Sequence, residues 1–193
     1  MILSTHDILF LQNRVAYIRD EGAYKKLFYH FHPSLYRFAN NIVGDGVIAD
    51  EIVSDILMKI WEMGSRLAQI DKLNLYLFSA VKNASLTHFS KAKHQHLIID
   101  EIFENTVVDE ASDPEKKLLL SEVQQKIEAA IATFAPQCKL VYRLIREEGF
   151  SHKEICSILE VSQKYCRDSY AYCTQKNKAI AKCLFDGEII IQK

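Results

Sequence analysis

The sequence predicts an all-α protein of two small helical domains joined by an acidic linker, with a helix-turn-helix ending the second domain. Apolar residues recur at spacings of three and four along almost the whole chain, which is typical of amphipathic helices. Six glycines and three prolines in 193 residues are few for the turns that would separate strands. Residues 94–113 hold no Lys or Arg against six Asp or Glu, whereas residues 1–93 hold 11 basic against 9 acidic residues and residues 114–193 hold 13 against 10. We therefore predict domains at 1–93 and 114–193 and a linker at 94–113.

Two helices open the first domain. The first is predicted from about Asp7 to Arg19. The second is predicted from about Ala23 to Ile42, with a break or bend near Pro33 because proline removes a helical hydrogen bond. The apolar spacing predicts these inward residues: Ile8, Leu11, Val15 and Ile18 in the first helix, and Leu27, Phe28, Phe31, Leu35, Phe38, Ala39 and Ile42 in the second.

The helix predicted from Val47 to Glu62 has the most regular apolar stripe in the sequence. The stripe consists of Ile48, Ala49, Ile52, Val53, Ile56, Leu57, Ile60 and Trp61. The opposite face carries Asp50, Glu51, Ser54, Asp55, Met58 and Lys59. Taken by itself, an acidic strip at this spacing is usually a solvated surface.

A loop from Met63 to Lys72 and a helix from Leu73 to about Lys93 complete the first domain. The exposed side of this helix is predicted to carry polar and basic residues among aromatic ones: Asn74, Lys82, Asn83, Lys91 and Lys93 beside Tyr76, Phe78 and His88. Single-stranded nucleic acid needs this combination, because phosphates pair with the cations and unstacked bases lie on the rings. Lysines on an exposed helix are also ordinary, so the pattern alone leaves both interpretations open.

The second domain is predicted to open with two further helices. One runs from Pro114 to Thr133, where Asp113 can cap and proline suits the first helical position. The other runs from Pro136 to Glu148, and Gly149 suits the left-handed position that follows a helix. Residues 186–193 are either a short extended segment or an unanchored end.

The stretch from Gly149 to Lys176 has the pattern of two short helices joined by a tight turn. Ser151 and Glu154 match a capping box, and Ser162 can cap the second helix. The predicted buried side is Ile155, Ile158, Leu159, Cys166, Tyr170 and Cys173, and the outer face of the second helix is Gln163, Lys164, Arg167, Asp168 and Ala171. A partly cationic face of this kind can enter the major groove of DNA, and residues 163–182 hold five basic residues against one acidic residue. An αα-hairpin that only packs is the alternative.

Other patterns exclude several classes of function. The five cysteines are odd in number and lack C-x-x-C spacing, which favours small buried hydrophobes over a metal or redox site. The H-x-H pairs at residues 30–32 and 94–96 have no Cys or second acidic ligand set nearby in sequence, so we expect no metal site. Nucleotide-binding, nucleophile-elbow and zinc-protease motifs are absent, so we expect no catalytic residues and no cofactor. Without a signal-peptide pattern or a long apolar span, the sequence predicts a cytoplasmic protein with no membrane insertion.

Several stretches together resemble a sigma factor of bacterial RNA polymerase. They are Tyr24, Leu27 and Phe28, then FHPSLYRFA at 31–39, ADEIVSDILMKIWE at 49–62, LYLFSAVKNASL at 75–86 and PQCKLVYRLIREEGFSHKEICSILEVS at 136–162. The most specific match is an acidic pair, a valine, an acidic residue and an aliphatic-Lys-aliphatic-Trp run, formed here by Asp50, Glu51, Val53, Asp55, Met58, Lys59, Ile60 and Trp61. The chain is most similar to the small extracytoplasmic function (ECF) type, particularly the variety common in the Bacteroides group.

The resemblance implies binding rather than catalysis, with core RNA polymerase supplying the chemistry. A region 2-like first domain would dock on the clamp helices of the largest polymerase subunit through Asp50, Glu51, Asp55, Met58 and Lys59. The next loop and helix would hold the downstream promoter element through Arg66, Asn74, Lys82, Asn83, Lys91 and Lys93. A region 4-like second domain would dock on the polymerase flap and read the upstream element of promoter DNA through Ser162, Gln163, Lys164, Arg167 and Asp168. An anti-sigma factor is a further candidate partner.

The chain departs from the family pattern at several positions. Thr87 and Ser90 stand where the family usually carries Asp and Arg, and residues 165–173 carry Tyr and Cys in place of small or aliphatic residues. Glu160 replaces the usual turn glycine, which costs about 1–2 kcal/mol if the position is left-handed. The acidic linker suits a path through the nucleic-acid channel of the polymerase, which is a hypothesis from its charge.

Two alternative functions fit part of the chain. One is a one-component regulator, whose helix-turn-helix binds DNA without joining polymerase. The other is a helical protein-interaction module that does not bind DNA. The regulator gives no reason for the pattern from Asp50 to Trp61, whereas the altered recognition helix keeps the interaction module open.

Overall fold

The computed structural model describes residues 3–92 and 134–190, with side chains described for residues 3–88 and for residues 134–176 apart from 136. These ranges contain seven α-helices, one 3-10 helix and no strand, which confirms the all-α prediction there. The chain divides into two compact units, Met1–Ile102 and Phe103–Lys193, and each is described by itself. The predicted linker at 94–113 and the predicted helix at 114–133 lie outside the described residues. The domain bounds at 93 and 114 therefore stay predictions.

The first unit is built around its second helix. Its elements are α1 (Thr5–Ile18), α2 (Glu21–Val43), α3 (Gly46–Met63), a 3-10 helix (Gly64–Gln69) and α4 (Leu73–Ala92). Helix α2 packs against α1, α3 and α4, and α1 also packs against the 3-10 helix. The largest fully buried side chains of this unit are Leu27, Leu35, Ile42, Leu57, Ile60, Leu67, Leu77 and Phe78. The core thus lies along α2 and fixes the neighbouring helices on it.

Short polar side chains start these helices. Ser4 and Asp7 form a capping box, so α1 begins two residues before the predicted start. Asp20 Oδ1 accepts a hydrogen bond from the Ala23 amide at 3.1 Å. Asp45 Oδ1 accepts one from the Val47 amide at 2.8 Å. These caps satisfy amides that the first helical turn leaves without partners.

One sequence prediction for α1 is wrong, and of the break or bend predicted near Pro33 in α2 the break is absent. Helix α2 is continuous through Pro33, with no break there. Pro33 lies on the exposed side, and buried residues precede and follow it in the stripe, so packing holds the helix together despite the missing hydrogen bond. Ile18 was predicted to face inward but is 69% exposed, because it lies in the last turn of α1, beyond the packed part of the stripe.

The second unit consists of α5 (Pro136–Arg146), α6 (His152–Leu159) and α7 (Gln163–Ile190). Helix α7 packs against both others, and its length means that residues 186–190 are helical rather than extended. The buried apolar residues are Phe134, Leu140, Val141, Leu144, Phe150, Ile155, Ile158, Leu159, Cys166 and Cys173. In neither described range is a helix long and apolar enough to cross a membrane.

The helix ends around α6 follow the sequence pattern. Gly149 has φ 72°, as its predicted left-handed position requires. Ser151 Oγ accepts a hydrogen bond from the Glu154 amide while the Glu154 carboxylate accepts one from the Ser151 amide, which confirms the capping box. Ser162 Oγ accepts a hydrogen bond from the Tyr165 amide at 3.1 Å, so it caps α7 as predicted. Local hydrogen bonding therefore determines where α6 starts and where α7 starts.

The Glu160→Gly variant is expected to raise the free energy of unfolding by about 0.5–1 kcal/mol. Glu160 has φ 57° and ψ 36°, a left-handed conformation in which a Cβ atom meets the following carbonyl. Glycine removes this strain, although its greater freedom in the unfolded chain offsets part of the gain. Urea unfolding measures the change. The Glu160→Ala variant keeps the Cβ atom and is the control; equal stability of the Gly and Ala variants would contradict the prediction.

Candidate functional site

Five residues on the outer face of α3 form what we call the α3 strip: Asp50, Glu51, Asp55, Met58 and Lys59. All five side chains are exposed, as the sequence predicts. The opposite stripe is buried at Ala49, Ile52, Val53, Ile56, Leu57 and Ile60, whereas Ile48 and Trp61 are half-buried. The strip therefore lies on a helix whose other side is fixed in the core, and it can be presented to a partner without unfolding.

Four rings on α2 form an aromatic ladder that lies beside α3. The rings of Tyr24, Phe28, His32 and Tyr36 recur at every fourth residue, so they share one face of the helix. The Phe28 and His32 rings are stacked with centroids 5.0 Å apart, and the His32 and Tyr36 rings are nearly parallel at 6.3 Å. Tyr24 contacts Trp61 near the end of α3, with centroids 5.2 Å apart.

The other end of the ladder lies at the start of α3. A Cβ atom at Gly46 would lie only 2.7 Å from Tyr36 Oη. The ladder therefore follows α3 from its first residue to its last turn, in the opposite chain direction.

A groove between the ladder and the α3 strip has a volume of about 570 Å³. It is lined by Glu21, Tyr24, Lys25, Phe28, Tyr29, Met58 and Trp61. Tyr29 is 66% exposed and Met58 54% exposed, so two large apolar groups flank the opening. Sequence reasoning assigned Met58 to the site but no α2 residue; Phe28 was predicted only to face inward, and it is half-buried. The spacing of four residues between the α2 rings was the signal that could have pointed to them.

An arginine packs on Trp61, one of the residues that line the groove. The Arg19 guanidinium lies over the Trp61 ring, 4.3 Å from its centroid, and Arg19 Nη1 donates a hydrogen bond to the Trp61 carbonyl. Cation–π contacts of this kind stabilise the ring orientation. Burial raises the pKa of the neighbouring Tyr24 phenol, which therefore stays protonated at neutral pH.

One side-chain contact connects the ladder to the strip. His32 Nε2 lies 3.1 Å from Asp50 Oδ1, and the two side chains come from different helices. The histidine side chain is 24% exposed and the aspartate side chain 59% exposed. Asp50 is thus held by a partly buried ring.

The 3-10 helix and α4 carry the residues predicted to contact the downstream promoter element. Arg66 and Asn83 are exposed, and Asn74 is half-buried. Tyr76 is 39% exposed and its hydroxyl lies 3.9 Å from Met63 Sδ. The Lys91 side chain and all of Lys93 lie outside the described residues.

Two residues assigned to the exposed side of α4 are buried, which corrects the sequence prediction. Lys82 is 4% exposed and Phe78 is 2% exposed. The Phe78 ring packs against Phe38 of α2 with centroids 5.2 Å apart. The physical reason is that α4 packs against both α2 and α3, so its buried face is wider than one apolar stripe and includes Lys82 and Ser85.

A buried glutamine of α1 fixes the segment around the 3-10 helix. Gln12 is 1% exposed, and its Nε2 donates hydrogen bonds to the Leu67 carbonyl at 2.7 Å and the Ile70 carbonyl at 2.8 Å. One carbonyl lies within the 3-10 helix that carries Arg66, and the other lies just after it, before Asn74. Sequence reasoning missed Gln12, because a polar residue beside an apolar stripe gives no sign of a partner more than 50 positions away.

In the second unit, the predicted outer face of α7 is exposed. Ser162, Gln163, Lys164, Arg167, Asp168 and Ala171 are all exposed. Arg167 Nε donates to the Gln163 carbonyl at 3.3 Å, one turn earlier. Cys166 and Cys173 are fully buried on the other side, and Tyr170 is half-buried and stacked on Tyr142 with centroids 6.0 Å apart. The polar face and the packed face therefore separate as predicted.

Burial controls the chemistry of two cysteines. It raises the pKa of the Cys166 and Cys173 thiols to about 11, so both are protonated at neutral pH. Both fit the predicted role of small buried hydrophobes, while Cys138 and Cys156 are half-buried. Among the described residues, no three His, Cys, Asp or Glu side chains gather into a group that could hold a metal ion.

Comparison with known proteins relates the first unit to one family. Residues 27–95 match the family model described as Sigma-70 region 2, a span that contains α3 entirely. No curated protein sequence matches the chain. The matched span includes the whole α3 strip, the 3-10 helix and Asn83. This match supports a sigma-70 family factor that binds core RNA polymerase and takes part in promoter recognition.

Proposed function

We propose that the chain is a sigma factor of the ECF type, in the variety common in the Bacteroides group. It binds core RNA polymerase, recognises a promoter through two helical domains and leaves the chemistry to the polymerase. The observation that carries this proposal is the Sigma-70 region 2 match over a helix whose exposed face is the α3 strip. A regulator that acts without polymerase has no need for such a face.

The proposed docking surface on polymerase is the α3 strip together with the groove beside it. Glu51 and Asp55 offer carboxylates to cations of the partner, and Met58 offers apolar contact next to Tyr29. An interface of this composition has an apolar centre, which buries surface from water, and a charged rim, which orients the two partners. An anti-sigma factor is a candidate second partner, because a regulator that covers this surface would block polymerase.

The proposed contact with the downstream element uses the exposed polar residues of the 3-10 helix and α4. Arg66 can pair with a phosphate, Asn74 and Asn83 can hydrogen-bond base edges, and the Tyr76 ring can stack on an unpaired base. Lys82 is not proposed as a direct contact, since its burial keeps the ammonium group from the surface. Thr87 stands where the family usually has Asp, and its hydroxyl donates to the Asn83 carbonyl at 2.8 Å.

The second unit is proposed to read the upstream element with α7 as the recognition helix of a helix-turn-helix. What supports this is the exposed face from Ser162 to Asp168, which begins at a capped helix N-terminus where phosphates bind favourably. Gln163, Lys164 and Arg167 can reach bases or phosphates, whereas Asp168 is suited to accept from a cytosine amino group.

Copurification with core polymerase, followed by in vitro transcription on genomic fragments, tests the proposal. A sigma factor binds core before any promoter and then directs initiation at defined sites. A one-component regulator binds fragments without core, and an interaction module without DNA binding does neither. Recovery of the chain free of core would contradict the proposal, and DNA binding in that fraction would favour the regulator.

The Arg167→Ala variant is expected to weaken binding to upstream promoter DNA at least about fivefold, with core association unchanged. Arg167 is exposed in the middle of the proposed recognition face. Its guanidinium can contact either a guanine edge or a phosphate, and the salt dependence separates these contacts. Fluorescence anisotropy over a salt series gives the affinity and the slope of its logarithm.

A slope reduced by about one unit assigns Arg167 to a phosphate, and an unchanged slope assigns it to a base. The Gln175→Ala variant, at an exposed position further along α7, is the control. Wild-type affinity of the Arg167 variant would contradict the proposed recognition face.

A further inference from the structure

The imidazole of His32 has an orientation that its neighbours determine. Its ring lies between Phe28, with centroids 5.0 Å apart and planes at 25°, and Tyr36, with centroids 6.3 Å apart and planes at 7°. Stacking on two sides restricts the tilt of the ring, and α2 itself lies at the centre of the first unit. His32 is therefore the fixed member of any pair that it forms.

Asp50 is the other member of the pair. Its side chain is 59% exposed, and at such exposure an aspartate ordinarily samples several rotamers. The contact of Oδ1 with His32 Nε2 at 3.1 Å selects one of them. An imidazole N–H donates to one carboxylate oxygen and leaves the second oxygen for another donor. Among the described residues, His32 is the group that contacts this carboxylate.

We infer that His32 is a positioning residue for polymerase docking, which holds the Asp50 carboxylate in the orientation that receives a cationic group of the core enzyme. This inference rests on the proposed function. His32 lies outside the α3 strip and comes from another helix, so it acts through Asp50 rather than by contact with the partner. It also links the strip to the aromatic ladder, so that α2 determines the geometry of a face formed by α3.

The expected contribution of His32 to binding is that it orders the Asp50 side chain before the complex forms. An exposed side-chain contact of this kind contributes little to folding, because water competes for both groups. Ordering a free side chain when a complex forms costs binding free energy, and a side chain that is already ordered avoids this cost. Loss of the His32 contact should therefore weaken core binding about two- to tenfold with little change in stability.

The test measures the affinity of the full chain for core polymerase by fluorescence anisotropy of an N-terminal label. The His32→Phe variant keeps a ring between Phe28 and Tyr36 but removes the donor, and we expect the two- to tenfold loss. The His32→Gln variant restores a donor N–H at a similar distance, and we expect most of the affinity to return. Thermal melting of each variant shows whether the fold is intact.

A double-mutant cycle with Asp50→Ala separates positioning from a general effect on shape. If His32 acts through Asp50, His32→Phe causes no further loss in the Asp50→Ala background. An equal loss in both backgrounds, or wild-type affinity of His32→Phe, would overturn the inference while leaving the proposed function in place. If the wild-type chain does not bind core polymerase at all, the proposed function itself fails.

Discussion

The Asp55→Lys variant is expected to lose at least about a hundredfold in affinity for core RNA polymerase while remaining folded. Asp55 lies in the middle of the α3 strip and is exposed, so its replacement disturbs no core contact. Charge reversal removes an attraction and also places a cation opposite the cation that Asp55 is proposed to meet. Like charges brought together in an interface cost several kcal/mol, and each 1.4 kcal/mol is a factor of ten.

Biolayer interferometry with immobilised core polymerase gives the affinity, and circular dichroism with thermal melting shows that the variant folds. The matched control is Asp71→Lys, the same charge reversal at an exposed residue between the 3-10 helix and α4. We expect Asp71→Lys to bind core like the wild type. Unchanged affinity of the Asp55→Lys variant would remove the α3 strip from the docking surface and with it the main support for a sigma factor.

The Gln12→Leu variant is expected to lose about 1–3 kcal/mol of unfolding free energy. Leucine fits a site of similar size but donates no hydrogen bond, so the Leu67 and Ile70 carbonyls lose the amide that bridges them. The Leu67 carbonyl keeps the Ile70 amide as a donor at 3.2 Å, whereas the Ile70 carbonyl loses its bond to Gln12. The Ile70 carbonyl is partly buried, so leaving it without this donor costs part of its desolvation, in addition to the lost buried bond to Leu67.

Urea unfolding measures the loss, and hydrogen exchange of the amides at residues 64–72 reports whether this segment opens more readily. The matched control is Asn13→Leu, which removes an exposed amide from the next position of the same helix. We expect that control to stay within about 0.5 kcal/mol of the wild type. If both variants are equally stable, Gln12 does not fix the segment that carries Arg66.

The sequence predicted the features that depend on local chemistry. The stripe of α3 was correct because residues three and four apart share a helix face, and the core selects the apolar face. The caps at Ser151 and Ser162 and the left-handed Gly149 were correct because each is decided by hydrogen bonds or sterics within a few residues. The exposure of the α3 strip followed from the same periodicity.

The errors and omissions depend on which helices meet. Lys82 and Phe78 were predicted to be exposed, yet α4 packs against two helices and buries both. Pro33 interrupts a hydrogen bond, but burial along α2 outweighs that local cost. The contacts of His32 with Asp50 and of Arg19 with Trp61 join separate helices, and nothing in the spacing of either pair marks them as partners.

The sequence by itself therefore determined the helical fold class, the start of most described helices and the exposed acidic face of α3, since all of these follow from local hydrogen bonding and periodic burial. Only the tertiary structure decided which polar residues are buried and what lies beside that face. It placed the ladder of α2 against α3, fixed Asp50 with His32, and held the 3-10 segment with Gln12. The physical reason is that burial and side-chain pairing depend on the relative position of whole helices, which the order of residues along any one helix does not contain.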